Sequence, residues 1–205
     1  MPMEWIESVK NTDQLAVYDG IGGGRWANVF KKALGEFNKL SGRYGLGIRV
    51  KDAGGEGDAQ VLMRLGAGAA TFEYDQKTYS SVFDKAKMHG STHLVSRRGE
   101  SRVEKAFIFL PSEPQISTPN GIRDAGINIL TFIAVHELIH ACGLHDSDHG
   151  IDGVFYSNPG AYPGDTPKQD KVTVTRKVGS KLKISMMPEL FLDNATVATI
   201  QRLWK

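Results

Sequence analysis

At 205 residues the chain suits one domain, or two small lobes sharing one cleft, and 40% hydrophobic residues with only 8 prolines describe a globular protein able to bury a proper core. The formal net charge of +2 is too small to point to a nucleic-acid partner. Cys142 is the one cysteine, which excludes an internal disulfide, and no run of residues is long and apolar enough to span a membrane.

The first residues, Met1 to Glu7, carry neither a basic segment nor an apolar stretch of signal-peptide length. The expectation is a soluble protein made in the cytoplasm, with no membrane partner and in a monomeric state. Whether it acts there, in a virion or after release stays open. Gln14 to Asp19 alternates enough for a short strand, and Asp19 to Gly24 is a glycine-rich turn. Its spacing fits neither G-x-G-x-x-G nor the P-loop pattern, so it is not read as a phosphate loop. Trp26, Phe30, Ala33, Phe37 and Leu40 recur at three- and four-residue steps and predict an amphipathic helix from about Arg25 to Leu40.

Leu46 to Lys51 and Ala59 to Leu65 read as strands around the loop Gly54-Gly55-Glu56-Gly57. Gly66 to Lys87 is mixed and shows no dominant period. Ser91 to Ser96 predicts a short strand, with His93 expected as an exposed strand residue. Lys105 to Leu110 predicts a buried strand through Ala106, Phe107, Ile108, Phe109 and Leu110.

Next comes the stretch that carries chemistry. Asp124 is placed to cap a helix whose body, Ala125 to Val135, is nearly all apolar. At its far end stand His136, Glu137 and His140. Residues four apart on a helix sit about 40° apart around the axis and one turn along it, so two imidazoles can grip one metal ion. Glu137 projects from the same turn, close enough to take a proton from water. This is the H-E-x-x-H arrangement of zinc hydrolases. Placing such groups on a buried helix costs desolvation unless they are paired or metal-bound. Cys142 points about 240° away from His136 and reads as packing.

Gly143 is expected to end the helix in a left-handed conformation. Stopping there turns the chain back towards the metal and lets a residue three further on, Asp146, act as third ligand. A carboxylate oxygen is an ordinary zinc ligand. His145 and His149 flank Asp146 and are the alternatives.

At these residues the sequence resembles the metzincin clan of zinc peptidases, and within it the matrixin-like members. Their signature is H-E-x-x-H-x-x-G-x-x-H followed by a methionine turn. His136, Glu137, His140 and Gly143 match it, while Asp146 stands where the third histidine would be, as in some small bacterial metzincins. About forty residues on, Met186 with Pro188 is similar to the clan's Met-x-Pro turn, with Met187 read as a core neighbour. Pro188 stands where astacin-like relatives carry a tyrosine, so no tyrosine ligand is expected. Asp193 to Trp204 looks like the closing matrixin helix.

The resemblance implies an α+β, zincin-like fold. A twisted mixed sheet and two long helices would form an upper lobe over about residues 1–143, and a small irregular lower lobe, about 144–205, would end in a helix. Together these would make a single metallopeptidase domain. In the matrixin upper lobe an edge strand binds extended peptide by adding it to the sheet, and Ser91 to Ser96 is the candidate here. The implied cofactor is one catalytic zinc ion, held by His136, His140 and Asp146, with protein or peptide as substrate and Glu137 as general base. Secreted members of the clan carry a propeptide, and nothing in this sequence is similar to one.

Between Asp146 and Met186, alternating carboxylates over Asp146 to Asp152 suggest a calcium loop, but an ordinary polar loop is preferred because the twelfth-position glutamate is missing. Lys171 to Arg176 and Lys181 to Ser185 predict a hairpin turned at Gly179-Ser180. Its lysines are read as edge protection. Two other readings stand beside the endopeptidase. One is a gluzincin or SprT-like intracellular protease, with its third ligand on a later helix; the other is a catalytically silent domain that keeps zinc as a staple and binds partners.

Overall fold

The computed structural model describes residues 1–82, 90–118, 121–145, 148, 155–156, 176–178, 181–183 and 190–205. After a single helical turn, α1 (Glu7–Lys10), come β1 (Gln14–Gly20), α2 (Val29–Tyr44), β2 (Arg49–Asp52) and β3 (Val61–Gly66). A hairpin follows, β4 (Ala69–Tyr74) and β5 (Lys77–Val82), then β6 (Ser91–Val95), β7 (Lys105–Pro111), β8 (Gln115–Thr118) and β9 (Gly121–Asp124). The second long helix is α3 (Ile127–Ala141). Short strands β10 (Phe155–Tyr156), β11 (Arg176–Val178), β12 (Lys181–Lys183) and β13 (Leu190–Phe191) precede the closing helix α4 (Asn194–Trp204).

Five strands form one mixed sheet in the order β2-β1-β3-β7-β6. The first four run parallel, and β6 pairs antiparallel with β7 at the edge, Thr92 opposite Ile108. The protein is therefore α+β with a mixed sheet. Strand β7 is apolar at every position after Lys105 because both of its faces are covered. Ala106, Ile108 and Leu110 join Val61 and Met63 of β3 and Leu15 and Val17 of β1 in the core under the two long helices. Phe107, Phe109 and Leu62 point the other way and pack against Phe72 of the hairpin, whose ring stacks on Phe107 at 3.7 Å between centroids.

Helix α2 buries the predicted stripe, Phe30, Ala33, Phe37 and Leu40, and packs on α3. Its limits differ from the expected Arg25 to Leu40. A 3-10 turn occupies Gly24–Trp26, Asn28 at φ 69° interrupts the chain, and the helix then runs on to Gly45, whose φ of +57° stops it. Leu46 and Ile48, read as strand, are buried in the connection ahead of β2. The stretch from Gly66 that showed no dominant period contains a two-residue hairpin. Asp75 and Gln76 both take positive φ, 47° and 61°, which a type I′ turn requires. Asn-Gly or Asp-Gly would have announced that turn; Asp-Gln does not.

The expected cap at Asp124 is corrected. Gly126 occupies the N-cap position of α3, with no side-chain cap bond, while Asp124 ends β9 and pairs with Arg25 at 2.8 Å. The β8–β9 hairpin had no expectation against it, and it takes up the residues that a helix start at Ala125 would need. Of the basic hairpin expected over Lys171 to Arg176 and Lys181 to Ser185, the described part is β11 and β12, with Val178 opposite Lys181; residues 171–175, the turn residues and residues 184–185 lie outside the described residues. No helix among the described residues is long and apolar enough to cross a membrane.

Candidate metal centre

Helix α3 is enclosed by the sheet on one side and α2 on another. Its sequence answers with Ile129, Leu130, Ile133, Val135, Leu138 and Ile139, all buried. Within this apolar rod Glu137 and His140 are 3% and 4% exposed, and His136 is half-buried. The imidazole Nε2 atoms of His136 and His140 approach to 3.1 Å, with ring planes 71° apart. Legs of 2.0–2.1 Å in a tetrahedral zinc site put two ligand nitrogens roughly 3.3 Å apart, so this pair fits two corners of such a site.

The second nitrogen of His140 fixes its proton. Nδ1 lies 3.1 Å from the carbonyl oxygen of Leu144, which can only accept, so Nδ1–H is the donor and Nε2 of the neutral ring keeps its lone pair. That carbonyl is in reach because the helix ends where the sequence says. Gly143 takes φ +111°, and the amides of Gly143 and Leu144 both donate to His140 O, at 2.9 and 3.0 Å. A Cβ on Gly143 would collide with Met3 O. The N-terminal segment crosses this turn, and Met3 N donates to Gly143 O at 2.8 Å. The carbonyls that a helix end leaves over are met by two indoles: Trp5 Nε1 donates to Ala141 O at 2.9 Å and Trp204 Nε1 to Cys142 O at 2.8 Å.

Glu137 faces the edge strand. Thr92 Oγ1 donates to its Oε2 at 2.6 Å and the Gly90 amide to its Oε1 at 3.1 Å. Neither residue had drawn attention in the sequence, where a threonine in a strand and a glycine before it carry no signal. Phe132 lies one turn before His136, 6.3 Å between ring centroids.

The described part of the site holds two nitrogens and one carboxylate of the expected set. Of the third-ligand candidates, Asp146 and His149 lie outside the described residues. His145 is exposed, its amide donating to Asp148 Oδ2 at 2.9 Å. Among the described residues no group of three or more His, Cys, Asp or Glu is gathered to hold an ion. Met186, Met187, Pro188 and the loop Asp146 to Asp152, except Asp148, also lie outside them. Cys142 is fully buried, Sγ against Leu138 O, and burial pushes its thiol up.

His93 is corrected from exposed to half-buried. It sits edge-on to Phe72 and Phe109 on the face opposite α3, and burial lowers its pKa below the ordinary imidazole value. On the same side of the sheet Tyr74 donates to Glu104, which also pairs with Arg97; burial and that carboxylate push the phenol up to about 12. Comparison with protein-family models, curated proteins and solved structures returns no match.

Proposed function

We propose that this protein is a zinc-dependent endopeptidase, metzincin-like and matrixin-like, with Asp146 in place of the third histidine. The observation that carries the reading is the convergence of His136 and His140 through Nε2 at 3.1 Å on a buried helix, one residue from the buried carboxylate of Glu137. The donor set, two neutral imidazoles with a carboxylate as third ligand, suits zinc. Zinc held there supplies Lewis acidity and makes water acidic enough to lose a proton near neutral pH.

The chain's own residues supply the rest. Glu137 takes the proton of the attacking water and returns it to the leaving amine. Strand β6, with no strand on its outer side among the described residues, offers main-chain donors and acceptors to an extended peptide. The sheet order, with its antiparallel strand at that edge and α3 beneath it, supports a zincin-like upper lobe. Protein or peptide is the substrate class, and residues 1–205 form one catalytic domain.

A peptide-library digest with zinc-loaded protein, run with and without chelator, tests this. Cleavage is expected, is lost on chelation, and falls by at least about a thousandfold in Glu137→Ala, which keeps its metal. Cleavage by Glu137→Ala at the wild-type rate removes Glu137 from the chemistry, and no cleavage by the wild type leaves a zinc-stapled binding domain.

A further inference from the structure

We propose that Thr92 is a positioning residue for Glu137, its hydroxyl aiming the carboxylate from the strand along which substrate would lie. This rests on the peptidase reading above. Glu137 leaves a helix through flexible torsions and is buried where bulk water cannot orient it. Its two oxygens are each met from β6 or the residue just before it: Thr92 Oγ1–H at 2.6 Å on Oε2 and the Gly90 N–H at 3.1 Å on Oε1. One donor would leave the carboxylate free to swing about its terminal torsion. Two, on separate oxygens, set its plane.

The Thr92 contact lies at the short end of hydroxyl hydrogen bonds. The same hydroxyl lies 3.3 Å from Glu137 O, but it has one proton, and the shorter contact takes it. Threonine is stiff at its first torsion, and β7 holds the strand by the register of Thr92 against Ile108, so the hydroxyl's location is set by the sheet. Its neighbours cannot substitute. Ser91 Oγ and His93 Nε2 lie 3.4 Å from each other on the opposite face, where His93 meets Phe72 and Phe109. Gly90 is needed for the close approach: a Cβ there would lie 2.7 Å from Phe109 O and 2.8 Å from Glu137 Cγ.

The consequence is mechanical. The base and the substrate-binding edge are one unit, so pairing a peptide to β6 acts on the strand that holds the carboxylate.

The test compares wild type, Thr92→Val and Thr92→Ser, all zinc-loaded, on a peptide from the library digest. Thr92→Val is expected to lose roughly ten- to a hundredfold in kcat, the worth of a hydrogen bond to a charged group, with KM within about twofold. Zinc affinity by calorimetry is unchanged, and Thr92→Ser restores most of the rate. A loss shared equally by Thr92→Ser, or one confined to KM, overturns the positioning role. Should Thr92→Val fail to fold, Thr92→Ala, which removes the hydroxyl without adding bulk, takes its place. The 13C carboxyl resonance of Glu137, assigned with Glu137→Gln, reads the contact without activity. It shifts in Thr92→Val and returns in Thr92→Ser, and a resonance that does not move overturns the contact itself. If the resonance moves but the wild type cleaves nothing sensitive to chelator, the contact survives as a tie between β6 and α3 while the peptidase reading and the positioning role fall together.

Discussion

His140 is decided by its back nitrogen. With Nδ1–H given to Leu144 O, the Nε2 of His140 is the accepting side of its 3.1 Å contact with His136 Nε2, where either a proton on His136 or a shared cation satisfies it. His93 is the contrasting imidazole, half-buried against two aromatic rings, and burial depresses its pKa. Because the unfolded chain binds the proton more tightly, His93 contributes no penalty above about pH 6.5, and stability falls as pH drops from there through the lowered folded value. NMR titration is expected to place its midpoint below that of a free imidazole. A midpoint at or above the free value would contradict the burial seen here. The sequence placed His136, Glu137 and His140 on one turn of a buried helix, and the structure brings the two imidazoles together there, because residues three and four apart share a helix face. The sequence missed the burial of His93, since the hairpin that covers that face gives no hydrophobic period and its turn is made by Asp75-Gln76.

The end of α3 is braced from both the N-terminal segment and α4. Met3 N, Trp5 Nε1 and Trp204 Nε1 donate to the carbonyls of Gly143, Ala141 and Cys142, respectively. Gly143→Ala would strain a residue at φ +111° and drive a methyl into Met3 O. A loss of about 2–3 kcal/mol in denaturant unfolding is expected, with weaker zinc binding, because the Leu144 carbonyl that orients His140 sits one residue on. A neutral Gly143→Ala would mean the turn is not fixed as described. The glycine was legible from the motif. The indoles were not, because Trp5 and Trp204 lie at opposite ends of the chain and only the folded topology brings their rings within 6.4 Å. The start of α3 was misread for a related reason: Asp124 looks like a cap locally, but the β8–β9 hairpin and Arg25 claim it.

Across the whole molecule, the sheet buries both faces, and the site lies where α3, the N-terminal segment, α4 and β6 meet. A ligand held there binds only the folded chain. Zinc at a hundredfold over its dissociation constant is therefore expected to add about 2.7 kcal/mol, raising Tm by roughly 5–10 °C for a chain of this length. The two long helices were foreshadowed by a periodic stripe and an apolar stretch, while the mixed sheet was expected only from the resemblance to matrixins. Ser91 to Ser96 was expected as an edge strand from that same resemblance and β6 lies at the edge, but that Thr92 would be the residue facing Glu137 was not legible, since register across a sheet leaves no mark in a single strand's composition.

The most direct test is metal analysis after equilibrium dialysis against zinc. One equivalent is expected in the wild type and in Glu137→Ala, and none in His136→Ala/His140→Ala. Wild-type protein that returns from zinc without the metal, or a double variant that retains a full equivalent, would contradict the account.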